Sequence, residues 1–265
     1  MSAPVETFQI SDEAAEFYEA KFVPSIFAGW AERLVDAADV RPGASVLDVA
    51  CGTGIVARRA RDRMEGQCTV TGLDLNEAML TVARRVARGI EWRQGDAAAL
   101  PFADGSFDVV LCQAALMFFP DRTGALAEMR RVLAPGGTVA VAVPGRLEAS
   151  TAYARFVEVT VRHAGPEAHD LLAGYFALGD LDHLRSLFEA AGLPVTATSS
   201  RVGTATFDSA DDFVATEISA SPLGERITPE VYDLILADMR PALEPFVTPH
   251  GVAAPLEAHV VVAGG

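Results

Sequence analysis

Residues Val46 to Gly54 read V-L-D-V-A-C-G-T-G, and a second apolar run, Thr69 to Asp74, ends on a carboxylate twenty positions after Gly54. An apolar, β-branched run that stops at a glycine turn and gives way to a helical pattern is a buried strand feeding a helix. Glycine at 52 and 54 lets a ligand approach the backbone where a Cβ would otherwise stand. The helix that follows offers free N–H groups and a partial positive charge. Asp74, at the tip of the next strand, can accept hydrogen bonds from both hydroxyls of a ribose. The first half of the chain is therefore expected to hold an adenosine-containing cofactor.

Strand and helix patterns keep alternating along the chain. Helices are expected over Asp12 to Lys21, capped by Ser11 and ended by Pro24, and over Ile26 to Ala38. More follow at about Ile55 to Met64, Asn76 to Val86 and Arg122 to Leu133, the last capped by Asp121. Strands are expected at Ile90 to Gln94, Phe107 to Cys112 and Thr138 to Val143. Such alternation means a parallel sheet with helices on both faces. After Pro144 the pattern loosens. A helix over Leu147 to Ala164 precedes an irregular stretch to Leu178. Asp180 caps a helix over Leu181 to Ala191, and Val195 to Phe207 reads as a strand. Helices start near Ser209 and Thr228, and a β-branched run, Leu256 to Ala263, closes the chain.

Gly52 to Ala57 also fits G-x-G-x-x-A, so spacing alone leaves an NAD(P) oxidoreductase open. Three features argue against it: Asp48 inside the first strand, the stretch Gly95-Asp-Ala-Ala-Ala-Leu-Pro-Phe102, and Phe107-Asp-Val-Val-Leu-Cys112 followed by Leu133-Ala-Pro-Gly-Gly137. There is also no Tyr-x-x-x-Lys pair. The order LDVACGTG, GLD, GDAAALPF, FDVVLC, RVLAPGG resembles the class I S-adenosylmethionine-dependent methyltransferases, most of all the group related to the ubiquinone and menaquinone methyltransferases. The resemblance covers roughly residues 40 to 145.

The resemblance implies a doubly wound seven-stranded α/β sheet of order 3-2-1-4-5-7-6, with the seventh strand antiparallel and helical lid insertions. It implies S-adenosyl-L-methionine as cofactor. Gly52 and Gly54, with Ala50 and Thr53 in the same loop, would line the methionine part and ribose. Asp48 would help order the methionine amino group, and Asp74 would take the ribose hydroxyls. Leu75 and Met79 would flank the adenine, Asp96 would accept its exocyclic amine, and the Ala97 N–H would bond a ring nitrogen. Cys112 and Gln113 would face the sulfonium. Gln113 departs from the Asn-Pro-Pro-Tyr type of amino-methylating relatives. A protein that keeps this fold and cofactor for a non-methylating reaction or for regulation is the other reading.

Composition narrows the substrate. The 265 residues include 21 basic and 36 acidic side chains, a net charge of −15, which disfavours nucleic acid. No apolar stretch approaches the ~20 residues of a membrane span. The first residues carry no signal-peptide pattern, so a cytoplasmic enzyme is expected. Cys51, Cys68 and Cys112 read as small buried hydrophobes, and no metal-ligand spacing occurs.

Ligands of an open α/β sheet bind beyond the carboxyl ends of its strands. Residues 1–40 are expected to form an N-terminal helical lid on a methyltransferase domain over 41–265, with cap segments at about 144–178 and 208–255. Phe8, Phe17, Tyr18, Phe22, Trp30, Leu116, Met117, Phe118, Phe119, Tyr153, Phe176 and Phe246 suit a small apolar or aromatic acceptor. Methylation at oxygen would gain from a general base, and His163, His169 and His250 are the candidates on segments near the pocket. A carbon nucleophile needs none.

Overall fold

The computed structural model describes residues 10–219 and 221–264. Its eight strands form one sheet: β1 (Ser45–Val49), β2 (Thr69–Asp74), β3 (Glu91–Gln94), β4 (Phe107–Gln113), β5 (Leu133–Pro144), β6 (Val195–Phe207), β7 (Val247–Thr248) and β8 (Gly251–Gly264). The order is β3-β2-β1-β4-β5-β8-β6, with β7 paired to β8. Strands β1 to β5 pair in parallel, and β8 runs antiparallel to both β5 and β6. This is the expected order with one addition. The two-residue β7 folds back onto β8, which begins at Gly251 rather than Leu256.

The helices are α1 (Asp12–Phe17), α2 (Ala28–Ala37), α3 (Ile55–Arg63), α4 (Glu77–Val86), α5 (Arg122–Val132), α6 (Thr151–Ala164), α7 (Pro166–Gly174), α8 (Leu181–Ala190), α9 (Ala210–Ser219) and α10 (Pro229–Leu243). Short polar side chains start five of them. Ser11, Asn76, Asp121, Asp180 and Thr228 each accept a backbone N–H of the first turn, which would otherwise lack a partner.

Two helices depart from the sequence reading. Pro24 does not end the first helix. Tyr18–Phe27 winds as a π-helix that contains it and joins α1 to α2. The wider π winding, with its i→i+5 bonds, takes in a residue that has no N–H to give. The stretch expected to be irregular holds α7, which starts at Pro166 directly after the left-handed Gly165.

Alternating strand residues feed two cores. Leu47, Val49, Leu73, Val110, Val139 and Val141 pack with Leu126 and Met129 of α5 and Phe188 of α8. Val46, Val70, Leu111 and Ala140 point the other way, against Leu34 and Val35 of α2 and Val56, Ala57 and Ala60 of α3. A third core joins Phe22, Ile26 and Trp30 to Phe156, Phe213, Ile235 and Met239. It packs the π-helix, α6, α9 and α10 together and roofs a cavity over the strand tips.

Candidate functional site

One cavity opens where β1, β2 and β4 end. Its lining includes Ala50, Gly52, Asp74, Leu75, Met79, Asp96, Ala97, Gln113 and Ala114 from the sheet side, and Tyr18, Phe22, Phe27, Trp30, Tyr153, Phe156 and Phe176 from the roof. Its cavity volume is about 230 Å³.

The glycine loop has an unusual backbone. Ala50 and Gly52 both have φ of 54°, and Gly54 has φ of 86°. Ala114, at the tip of β4, also sits at φ 53°. Left-handed alanines are strained, and such strain concentrates at ligand sites. At Gly52 a Cβ would project into the cavity, 3.8 Å from the Tyr18 ring and 4.0 Å from the Met79 sulfur. Gly54 is different. A Cβ there would lie 2.2 Å from the Trp92 ring, and one at Gly72 would lie 2.3 Å from it. Gly54 makes room for a tryptophan of β3, not for a ligand, which corrects the reason expected from sequence.

Asp74 reaches back across the loop. Its Oδ2 accepts the Gly52 N–H at 2.7 Å and its Oδ1 accepts the Asn76 N–H at 2.8 Å. Each oxygen keeps a second lone pair. Burial raises its pKa, and those two N–H groups pull the other way. Asp48 lies under the loop and does not line the cavity. Its carboxylate accepts the Ala57 N–H at 2.9 Å at the start of α3, and burial pushes it up to about 8. The Thr53 hydroxyl is likewise buried below the loop, without a partner among the described residues.

Asp96 Oδ1 accepts the Ala98 N–H at 2.8 Å. The loop that carries it is tied down by Arg131, which donates to the carbonyls of Leu100 and Phe102 and to Asp104 and Glu128. Glu128 in turn accepts the Leu100 N–H at 2.9 Å. Gln113 donates to the Phe27 carbonyl at 3.2 Å, while its Oε1 is buried without a partner among the described residues. Cys112 points into the core beneath the sheet rather than into the cavity.

The roof is held by charge. Arg58 of α3 makes a two-pronged pair with Glu19, at 2.8 and 3.0 Å, with both side chains largely buried. Lys21, the chain's only lysine, bonds Asp212 of α9 at 2.7 Å. Tyr18, Phe22 and Phe27 stack on one another at 5.5–5.9 Å. Burial, with Asp74, Glu19 and Asp48 nearby, raises the Tyr18 pKa.

Of the acceptor-wall residues expected from sequence, Tyr18, Phe22, Trp30, Met117, Phe118, Phe119, Tyr153 and Phe176 line the cavity. Phe17, Leu116 and Phe246 do not, and Phe8 lies outside the described residues. None of the three histidines is on the lining, which corrects their placement near the pocket. His163 faces Asp238 of α10 at 2.8 Å, His169 is exposed beside Asp170, and His250 is exposed in the β7–β8 turn. They sit on the outward faces of elements whose other faces serve the core. The cavity instead holds an acid that the sequence reading missed, Glu217 of α9. The signal was local: Glu217 falls on the same helical stripe as Phe213, Val214 and Ile218, an acid among apolar residues.

Residues 47–141 match the methyltransferase domain family. Over that segment the chain is similar to the class I S-adenosylmethionine-dependent methyltransferases, in the group related to the menaquinone and ubiquinone enzymes. It is 38% identical over 140 residues to nocamycin O-methyltransferase of Saccharothrix syringae, covering 51% of this chain and 50% of that one. It is 44% identical over 116 residues to the demethylmenaquinone methyltransferase of Thermus thermophilus, covering 42% and 52%. The chain thus spans about half the length of these curated relatives. Its fold is that of Haemonchus contortus phosphoethanolamine N-methyltransferase 2 in complex with S-adenosyl-L-methionine, with TM-score 0.61, 18% identity, and coverage of 100% of this chain and 61% of that one. Among the described residues no helix is long and apolar enough to cross a membrane, and no cluster of metal-ligating side chains occurs.

Proposed function

We propose that the protein transfers a methyl group from S-adenosyl-L-methionine to a small, apolar or aromatic acceptor, at oxygen or carbon. The observation that carries this is a single cavity with two chemistries. One end is polar and built on strand tips of the methyltransferase domain, and the other is walled by aromatic side chains.

The residues at the polar end fit the cofactor. Gly52 leaves a cradle that a Cβ would fill. Asp74 retains lone pairs for two ribose hydroxyls, and these donors would offset the cost of its burial. Leu75 and Met79 flank the space for the adenine, Asp96 has an oxygen free for its amine, and Ala97 brings its N–H. The orphaned Gln113 Oε1 is a buried acceptor that a ligand donor or the cofactor's positive charge would satisfy. The roles of Asp48, Thr53 and Gly54 are to shape the loop from beneath.

When bound, the cofactor supplies the activated methyl group. The chain's part is alignment and exclusion of water. The roof residues Phe22, Phe27, Trp30 and Phe156 offer a dry, flat-walled space for a ring. The cap segments and the N-terminal helices act as its lid. The relatives' names, a demethylmenaquinone methyltransferase and a nocamycin O-methyltransferase, speak of organic small-molecule acceptors of the kind such a space suits.

The test is a screen of quinols, phenols, polyketide-like acids and amines for uptake of labelled methyl from S-adenosylmethionine. Label in an apolar or aromatic oxygen or carbon acceptor is expected. Binding of S-adenosylhomocysteine with no transfer to any class would favour a non-methylating use of the same site.

A further inference from the structure

Glu217 is an acid in an apolar wall. Its neighbours on α9, Phe213, Val214 and Ile218, are buried, and its Oε1 is shut off from solvent with no hydrogen-bond partner among the described residues. The Tyr153 hydroxyl, on α6, is directed at this carboxyl without closing a well-formed hydrogen bond. Around Tyr153 the rings of Phe176 and Phe213 stand at 6.2 and 5.4 Å.

The charged groups of the surrounding elements are engaged elsewhere. On the π-helix, Lys21 holds Asp212 and Glu19 holds Arg58. On α10, Arg240 holds Asp211, with Tyr232 beside that pair. On β8, Glu257 accepts the Arg146 N–H, and His259 sits between Ser200 and the Gly179 carbonyl. On β6, Arg201 lines a separate cleft with Arg33 and Asp36. Glu217 therefore has no ion-pair partner among the described residues, although a buried carboxylate without one is costly. A purely structural role would be met by an apolar residue.

We propose that Glu217 is the general base of this site, and that the acceptor is a hydroxyl compound of the phenol, hydroquinol or enol class. The proposal rests on the methyltransferase reading above. The acceptor hydroxyl passes its proton to the Glu217 carboxylate. The oxygen lone pair forms the new C–O bond to the methyl carbon, and the C–S bond breaks with its electron pair going to sulfur. Glu217 then returns the proton to solvent. An enol can use the same proton loss to react at carbon. Burial raises the Glu217 pKa to about 8, opposed by Tyr153, so the base is poised near neutrality. A hydroxyl brings one proton, which one carboxyl oxygen takes. An ammonium brings three N–H donors, and Phe176 and Phe213 offer none of the acceptors the others would need.

The experiment compares wild type with Glu217→Gln, Glu217→Asp and Tyr153→Phe. Labelled methyl transfer is followed to 1-naphthol, a naphthohydroquinone, a cyclic β-diketone and phenethylamine. Calorimetry with S-adenosylhomocysteine is run on each variant. Wild type should label a hydroxyl or enol compound, with kcat/KM rising through about pH 8. Glu217→Gln should bind S-adenosylhomocysteine as wild type does, keep KM within a few-fold, and lose roughly 100-fold or more in kcat together with the pH dependence. Glu217→Asp should regain part of the rate. Tyr153→Phe should move the pH midpoint upward, because the tyrosine hydroxyl favours the ionised carboxyl. Independently of turnover, the infrared difference spectrum of wild type against Glu217→Gln should show a carboxylic-acid band that disappears through about pH 8. Unchanged kcat in Glu217→Gln, label only in phenethylamine, or binding of S-adenosylhomocysteine with no hydroxyl compound labelled would each overturn the proposal. Failure of wild type to bind S-adenosylhomocysteine would overturn the methyltransferase reading beneath it.

Discussion

Gly52 and Gly54 stand two residues apart in one loop and answer to different neighbours. The sequence pattern marked both, because glycine at such a turn is a local signal. It could not separate them, because the partner of Gly54 is Trp92, 38 positions on, in a strand with little pattern of its own. Two substitutions distinguish the roles. Gly52→Val fills the cradle beside Tyr18 and Met79, so affinity for S-adenosylhomocysteine should fall by about 100-fold or more; strain at φ 54° lowers Tm as well, but without any overlap with Trp92. Gly54→Ala drives a methyl into Trp92 and adds strain at positive φ, so it should lower Tm first and affinity only as a consequence. Thermal melts and calorimetry on both proteins check this. Normal binding by folded Gly52→Val would mean that the loop is not the cofactor cradle. The same locality explains Glu217, whose partner in space, Tyr153, comes from α6.

At the scale of elements, several helix starts were legible because a cap is local chemistry: Ser11, Asp121, Asp180 and Thr228 sit where helices begin, and Asn76, read as a first helical residue, caps α4. The π-helix was not, because proline reads as a stop unless the winding widens around it. What places that helix over the glycine loop is the Arg58–Glu19 pair. A two-pronged, largely buried pair fixes direction as well as distance. Arg58→Ala leaves Glu19 without its partner. It should speed amide exchange across Tyr18–Phe27 and weaken S-adenosylhomocysteine by roughly 5- to 30-fold, while exchange in β1 and β4 stays slow. Arg131 plays a matching part under Asp96 and Ala97. Arg131→Ala should release residues 95–106 and raise exchange there specifically. Uniform exchange changes in either variant would mean general destabilisation instead.

Across the whole molecule, alternation made a parallel sheet readable, while the strand order and the reversed last strand came from the resemblance, because order depends on which strands pair in space and not on local pattern. The roof was only half readable, because its walls come from five segments whose apolar residues also serve the core. The cavity carries a cost that shows in stability. Asp48 and Glu217 have folded pKa values of about 8 against model-peptide values of 3.8 and 4.5, and Asp74 shifts in the same direction. Between these limits the folded state binds more protons than the unfolded one, so stability falls as pH rises. The contribution is fully present below about pH 4 and is lost progressively up to about pH 8. Apo Tm should therefore drop between pH 6 and 8.5, by roughly 2–4 °C per kcal/mol lost. Asp48→Asn and Glu217→Gln should each flatten that slope. Ordinary carboxylates are already ionised in this range, so a flat wild-type profile would mean that these acids are not buried as described.

The account turns on one ligand held by one carboxylate. Calorimetric titration of S-adenosylhomocysteine into wild type and Asp74→Ala addresses this directly. Wild type should show a single saturable site. In Asp74→Ala, with its fold checked by circular dichroism, two charge-assisted bonds to the ribose are lost, and affinity should fall by about 2–4 kcal/mol, roughly 30- to 1,000-fold. Equal affinity in the two proteins, or no binding by wild type, would contradict the account.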